Sequence, residues 1–407
     1  MSFINIDGIR REFALFREAK GLVYLDNSAT SQKPDCVLDA VRTFYEKENA
    51  NPFRGIYELS ERATNAYENS RKTVAGFLNA TDPSEIVFTR NASESLNLAA
   101  FSLGELMVGE GDEVVISISE HHSNMLPWRS MAERKGAVVK YLNCGKDGGL
   151  EPSELEKLMT DRTKIVAVTA MSNVFGKLND VKALAAIAHS KNAVIVADGA
   201  QSVPHTKTDV RDTDVDLLAF SGHKLLAPMG IGVLYGKKEL LKKMPPFLTG
   251  GEMIERVSTE EIVYSEAPHK FEAGTVNAGG AVGLAQAIKY LEGIGMDNIA
   301  KREHELTEYA MNRLRMVPGI TVIGSPKAED HNGILTFKVE NVHPHDVSAI
   351  LADNNIAVRA GHHCAEPLHR FIGIPSTTRA SIMFYNTEEE IDRFIKCVSE
   401  IRGLMGY

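Results

Sequence analysis

Cysteine is scarce and scattered: Cys36, Cys144, Cys364 and Cys397 are four thiols in 407 residues, and no two form a Cys-x-x-Cys pair. That spacing excludes a disulfide framework and a zinc ribbon, so each thiol must be judged by its own surroundings. Long apolar runs are missing too. Nothing approaches the roughly 20 apolar residues a membrane helix requires, and the opening segment Met1 to Arg10 carries charges without an apolar centre. A cytosolic protein is the expectation. Basic charge is in deficit, 45 Lys and Arg against 54 Asp and Glu for a net −9, which argues against nucleic acid or an anionic membrane as a partner. Repeats, low-complexity tracts and flexible linkers are absent as well. The 43% hydrophobic content is that of an ordinary globular chain with room for two cores.

Periodicity organises the rest. From about Leu22 to Leu284, apolar β-branched runs alternate with amphipathic helical stretches, and Val114 to Ile118, Val138 to Leu142, Ile165 to Thr169, Val194 to Ala197, Leu217 to Phe220 and Gly232 to Tyr235 read as strands. Such alternation predicts an α/β fold, a largely parallel sheet with helices on both faces, whose ligands bind at the carboxyl ends of the strands. Beyond Ala281 a single stiff helix is predicted to about Met316. A strand (Gly333 to Val339), a helix from His345, a short strand ending at Arg359 and a last helix follow, the last opened by the capping-box pattern of Thr387 to Glu390. The expected division is a large domain over 21–284, and a smaller α+β domain formed by 285–407 with a helical 1–20 packed on it.

Polar residues gather just past the predicted strands. Ser221-Gly222-His223-Lys224 ends one of them, and a lysine amine condenses with an aldehyde and, once released, acts as a base. A solvated strand end would look the same. Asp198, in Ala197-Asp198-Gly199-Ala200-Gln201, closes a neighbouring buried strand; a buried carboxylate needs a cation such as a pyridinium facing it, or else serves as a helix cap. Asn91-Ala92-Ser93-Glu94 opens an apolar helix, where N–H groups and a hydroxyl suit either a phosphate or the helix itself. His121, in Glu120-His121-His122, follows another strand, and an imidazole there can stack on a ring and move protons. A zinc reading of the pair lacks a third ligand at helical spacing. Gly230 to Gly236 lacks the last glycine of a dinucleotide loop and reads as a strand.

Taken in order, Tyr24 to Thr30, Arg54-Gly55, Glu120-His121-His122, Ser172-Asn173-Val174, Asp198 to Gln201, Ser221 to Lys224, Phe271 to Thr275 and Arg359 to Ala365 resemble the pyridoxal-phosphate-dependent class-V aminotransferase group, and within it the SUF-type cysteine desulfurases. The resemblance spans almost the whole chain. It implies fold type I, a large domain with a mostly parallel seven-stranded sheet and a smaller α+β domain. It further implies that Lys224 carries pyridoxal 5'-phosphate, that Asp198 pairs the ring nitrogen, and that Asn173 and Gln201 contact the ring hydroxyl side. Ser93, Ser221 and His223 would bind phosphate, helped by the amide of Ala92, with Thr275 reaching in from a second subunit of a homodimer. His121 would stack on the ring. Arg379 would clamp the substrate carboxylate, with Arg359, Arg54, Ala29 and Asn173 bordering the substrate.

The same resemblance makes Cys364 the nucleophile that takes sulfur from L-cysteine, leaving L-alanine and a persulfide for iron–sulfur cluster assembly. Nearby His362, His363 and Arg359 are expected to act as cations favouring its thiolate. The rivals are a selenocysteine lyase and a sulfur-relay protein that holds persulfide without making it; a zinc site built from His343, His345, His362, His363 and Cys364 is a third. Phe53 and Tyr57 stand where many relatives have histidine, and Ala92 where a hydroxyl is common. His343-Pro344-His345-Asp346 is similar to relatives paired with a zinc-containing SufU-type acceptor, in which His345 would ligate the partner's zinc; a SufE-type acceptor is the alternative.

Overall fold

The computed structural model describes residues 5–407. Seven strands form the central sheet: β1 (Ile86–Thr89), β2 (Glu113–Ser117), β3 (Val138–Leu142), β4 (Thr163–Thr169), β5 (Val194–Asp198), β6 (Leu217–Ser221) and β7 (Gly232–Gly236), in the order β1-β7-β6-β5-β4-β2-β3. All contacts from β6 through β5, β4 and β2 to β3 are parallel, and β7 runs antiparallel to both β6 and β1. Two reversals restore direction, so β1 points the same way as the parallel strands. The carboxyl ends of β1, β2, β4, β5 and β6 therefore open on one edge of the sheet, as binding at such sheets requires.

Six of these strands follow the apolar runs of the sequence. β1 does not announce itself, because its four residues lie beside a capping signal; all four are buried. Its place is fixed from elsewhere. The backbone N–H of Phe88 donates to Glu272 Oε1 at 2.7 Å, and Arg71, itself paired with Glu272 at 2.7 Å, donates to the carbonyl of Ile86 at 2.7 Å. Tyr67 Oη completes the carboxylate's shell at 2.9 Å. A fully partnered buried ion pair of this kind fixes geometry more than it adds stability.

A second sheet is antiparallel: β8 (Ile320–Val322), β9 (Ile334–Val339), β10 (Arg359–Gly361) and β11 (Thr377–Ser381), in the order β8-β9-β11-β10. It packs with Met296–Met316, Pro344–Asp353 and Glu388–Leu404 around a core that includes Leu306, Leu335, Phe337, Leu351 and Phe394. Val23 and Leu25 also belong to that core. The predicted capping box is present, with Thr387 Oγ1 accepting from the Glu390 N–H at 3.2 Å and Glu390 Oε2 accepting from the Thr387 N–H at 3.1 Å.

Three expectations need correction. The long helix is two helices, Ala278–Ile294 and Met296–Met316, because Gly295 between them has φ +92°, which no right-handed helix can propagate. The short strand does not end at Arg359: Ile356–Ala357 pairs in parallel with Val23–Tyr24, and a new strand begins at Arg359. The amino-terminal helices, Ile6–Arg11 and Ala14–Glu18, bridge both parts of the molecule. Arg10 bonds Glu390 at 2.7 Å, while Arg17 pairs with Asp35 at 2.7 Å and Phe13 packs between Tyr385 and Tyr290. Residues 1–4 of the predicted helical 1–20 lie outside the described residues.

Candidate active site

A cavity of about 240 Å³ opens where the strand ends meet the β10–β11 edge of the second sheet. Lys224 enters it from the turn after β6, Asp198 from the end of β5, Asn173 after β4, and His121 after β2. Lys224 is only partly exposed and its amine is enclosed by protein; burial pulls it down to about 8, opposed in part by Asp198 and reinforced by Arg379 and Arg359. Near pH 7 roughly a tenth of such an amine is neutral and nucleophilic, far more than for an ordinary lysine. The buried Asp198 carboxyl is shifted upward by the same desolvation. One of its oxygens accepts the Ala200 N–H at 2.9 Å, and the charge of Lys224 in the same cavity works against the upward shift.

The helix Ala92–Met107 points its amino terminus at this cavity. Asn91 caps it by accepting the Glu94 N–H at 3.0 Å, and the Ala92 N–H donates to Ser221 Oγ at 2.8 Å, joining the helix to the turn that carries Lys224. Ser93 Oγ and Ser123 Oγ lie 2.6 Å apart. Because the Ser123 backbone N–H donates to His121 Nδ1 at 3.1 Å, that nitrogen must carry a lone pair and a neutral ring keeps its proton on Nε2. Burial, then Lys224, lowers His121 to about 3. His223 is lowered to about 4, again first by burial. Its Nδ1 and Gln201 Oε1 are buried without a hydrogen-bond partner among the described residues.

Arg379 guards the other end. Its Nη1 donates to the Asn173 carbonyl at 2.8 Å, Nη2 stands 3.7 Å from Asp26, and its Nε has no partner among the described residues. A buried guanidinium with spare donors suits a bidentate carboxylate. Arg359, exposed, reaches Asp26 at 3.3 Å. Between the two arginines lies the Cys364 loop. His363 and Cys364 both adopt left-handed φ, +52° and +56°, so two consecutive side-chain-bearing residues are held in a conformation that favours glycine.

The expectation that His363 is a cation beside the thiol is overturned. Its ring is buried and pushed down to about 2, chiefly by burial and then by Arg379. Its tautomer is fixed at a distance. His369 Nδ1 faces the Ala365 carbonyl at 3.1 Å and must donate, so a neutral His369 accepts the Thr377 hydroxyl through Nε2 at 3.0 Å, and Thr377 in turn accepts from His363 Nε2 at 2.9 Å. Cys364 itself is exposed, unlike the buried Cys144 and Cys397.

Of the sequence-predicted residues, Ala29, Ala92, Ser93, His121, Asn173, Asp198, Gln201, Ser221, His223, Lys224, Arg359, Cys364 and Arg379 share this cavity. Arg54 and Thr275 lie outside it in the same chain: Arg54 is exposed and pairs with Glu252 at 2.9 Å, and Thr275 borders a separate groove. His345 is on the surface, its N–H donating to His343 Nδ1 at 3.2 Å to start the helix. No three His, Cys, Asp or Glu side chains cluster as a metal would need among the described residues. Ser28, Ser123 and Thr169 also line the cavity and were missed; small hydroxyl residues past strand ends carry no distinctive signal in one sequence.

These residues fit pyridoxal phosphate. The enclosed amine would meet its aldehyde, Asp198 its ring nitrogen, the helix terminus its phosphate, and the unpartnered His223 Nδ1 and Gln201 Oε1 are polar atoms that such a group would satisfy. The fold and its site thereby define a fold-type-I pyridoxal-phosphate enzyme. The chain belongs to the class-V aminotransferase family, whose model, Aminotransferase class-V, matches residues 23–394. It is 46% identical to a probable cysteine desulfurase of Halalkalibacterium halodurans, over 99% of this chain and all of that one. Among solved structures, the apo cysteine desulfurase of Thermococcus onnurineus NA1 superposes with TM-score 0.94 at 41% identity, covering 99% of this chain and 100% of that one. The cysteine desulfurase CsdA of Escherichia coli does so with TM-score 0.92 at 37% identity, covering 98% and 99%.

Proposed function

We propose that this chain is a pyridoxal-phosphate-dependent cysteine desulfurase of the SUF type, converting L-cysteine to L-alanine and keeping the sulfur as a persulfide on Cys364. The observation that carries the reading is the convergence, on one cavity, of an enclosed lysine, a buried carboxylate, a guanidinium with spare donors and an exposed thiol. Bound at Lys224, pyridoxal phosphate would supply an electron sink for a substrate carbanion. Arg379 takes the substrate carboxylate through donors that the Asn173 carbonyl leaves free, with Arg359 beside it. Lys224, brought by burial closer to neutral pH than an ordinary lysine, removes and returns the proton at the substrate Cα. Asp198 would hold the ring nitrogen of the group, and His121, a wall of the same cavity, is held as the Nε2–H tautomer by Ser123. Cys364 Sγ attacks the substrate sulfur, forming an S–S bond as the substrate C–S bond breaks, and a proton replaces sulfur on carbon. A sulfur-relay protein would need neither Lys224 nor Asp198 so placed.

The deciding experiment incubates the purified holoenzyme with L-cysteine and with L-selenocysteine, with and without reductant, and quantifies alanine. Alanine from L-cysteine with an added sulfur on Cys364 by mass spectrometry is expected; turnover confined to L-selenocysteine selects the lyase, and sulfur only on Cys36, Cys144 or Cys397 rejects the nucleophile.

The finer reading adds a homodimer, in which the exposed Thr275 and Arg54 serve the neighbouring subunit's cavity; light scattering at the mass of a single active chain refutes it. The acceptor is a zinc-containing SufU-type protein, supported by the exposed His343–His345 pair, whose rings sit 5.0 Å apart. His345 replaces a ligand of the partner's zinc and frees a thiolate to receive sulfur. His345→Ala should leave reductant-driven alanine release intact and abolish activation by a SufU-type protein; activation undiminished in the variant favours the SufE-type alternative.

A further inference from the structure

The Cys364 turn stores strain, and something outside it must hold it. Two consecutive side-chain-bearing residues in the left-handed region persist only where surrounding contacts impose that conformation. Asn173 Nδ2 donates to the His363 carbonyl at 2.6 Å. Two further hydrogen bonds to this turn come from one residue of the large domain, His122. Its backbone N–H donates to the Cys364 carbonyl at 2.7 Å, and its ring Nε2 accepts the N–H of Glu366 at 3.2 Å. His122 thus grips the chain at the Cys364 carbonyl and two residues beyond it, while Asn173 holds the side before the thiol, and His122 sits next to His121 of the cavity wall.

We propose that His122 is the positioning residue that holds Cys364 over the substrate, and that only its neutral ring does so. A backbone N–H is always a donor, so Nε2 must offer a lone pair; a protonated ring would set N–H against N–H and release Glu366. The inference rests on the desulfurase reading for its consequence, though not for the clamp itself.

Around the ring stand Glu366 and His362 from the loop, with Arg129, Tyr141 and Arg370 bordering the same surface groove. Burial holds His122 below the ordinary histidine value, with Glu366 opposing and His362 adding to the effect. The clamp is therefore closed at neutral pH and opens only on acidification beyond the point at which an ordinary histidine takes up its proton. Sulfur transfer needs the clamp. Proton exchange at the substrate Cα, which needs Lys224 and not Cys364, does not.

The test compares His122→Ala and His122→Gln with the wild-type holoenzyme on three measurements: alanine formed from L-cysteine across pH 5.5–8.5, solvent deuterium exchange at Cα of L-alanine, and amide hydrogen exchange in the peptide 361–366. His122→Ala should form alanine from cysteine at least tenfold more slowly and exchange the loop amides at least tenfold faster, with Cα exchange within twofold of wild type. His122→Gln, whose Oε1 can accept from Glu366 and cannot be protonated, should restore most of the rate and flatten its acid limb. Wild-type loop exchange in His122→Ala overturns the clamp whether or not cysteine proves to be the substrate. Equal loss of alanine formation and Cα exchange, or a His122→Gln variant as slow as His122→Ala, assigns His122 a general structural role and overturns the proposal as well. A wild type that exchanges Cα but makes no alanine from cysteine refutes the desulfurase reading, and the loop exchange then still decides the clamp.

Discussion

Environment assigns different work to residues of one type. Lys224 is drawn to about 8 by burial, which suits the proposed role of an amine that bonds to carbon and then carries a proton. Cys144 is pushed up to about 11 by burial and is inert, while Cys364 is exposed on a strained turn beside two arginines. Two substitutions separate these roles. Lys224→Ala should abolish both the cofactor absorbance band and alanine formation. Cys364→Ala should keep the band and lose cysteine desulfuration by at least ~100-fold, well within the loss seen on removing a catalytic nucleophile; selenocysteine turnover should suffer less, since a selenol leaves more readily. Paired absorbance and alanine measurements read both variants, and a Lys224→Ala protein of normal activity would sink the mechanism.

Secondary elements act here chiefly as positioning devices. The helix Ala92–Met107 reaches the cavity because its cap residue, Asn91, is pressed against β7: a Cβ on Gly232 would come within 2.5 Å of Asn91 Cα. Backbone yields less easily than side chain. Gly232→Ala should therefore displace the helix terminus and weaken cofactor binding, at a cost of about 1–3 kcal/mol, equivalent to roughly 5- to 150-fold in the dissociation constant. Equilibrium dialysis of pyridoxal phosphate measures this, and unchanged affinity would show that the contact does not set the phosphate end. Gly176 makes a comparable approach, its missing Cβ leaving room for the His331 carbonyl, which places the Asn173 turn against the second sheet.

Across the whole molecule, burying three neutral imidazoles around one cavity makes stability depend on acid. His121, His223 and His363 are lowered to about 3, about 4 and about 2. Each binds its proton in the unfolded chain near 6.5 but not in the folded one, so the stability they contribute is present above about 6.5 and is lost as pH falls toward their folded values. At pH 5 each costs up to about 2 kcal/mol, from about 1.4 kcal/mol per pH unit, less for the partly exposed His223. Melts of the cofactor-free protein at pH 7 and pH 5 should show a clear drop in Tm, and His363→Gln should reduce it. No helix among the described residues is long and apolar enough to cross a membrane.

The sequence by itself determined the layered α/β plan, because β-branched runs and helical periods are local properties; it marked Lys224 and Asp198 by their places at strand ends, and Arg379 and Cys364 through the family resemblance that their segments carry. Tertiary structure alone decided what depends on residues far apart. β1 was settled by Arg71 and Glu272, 201 positions apart, and the break at Gly295 by a backbone angle that composition does not reveal. The neutrality of His363 was set by burial and by a hydrogen-bond chain through Thr377 and His369, and the grip on Cys364 by His122, more than two hundred residues away. Protonation and strain are set by surroundings, and surroundings exist only once the chain has folded.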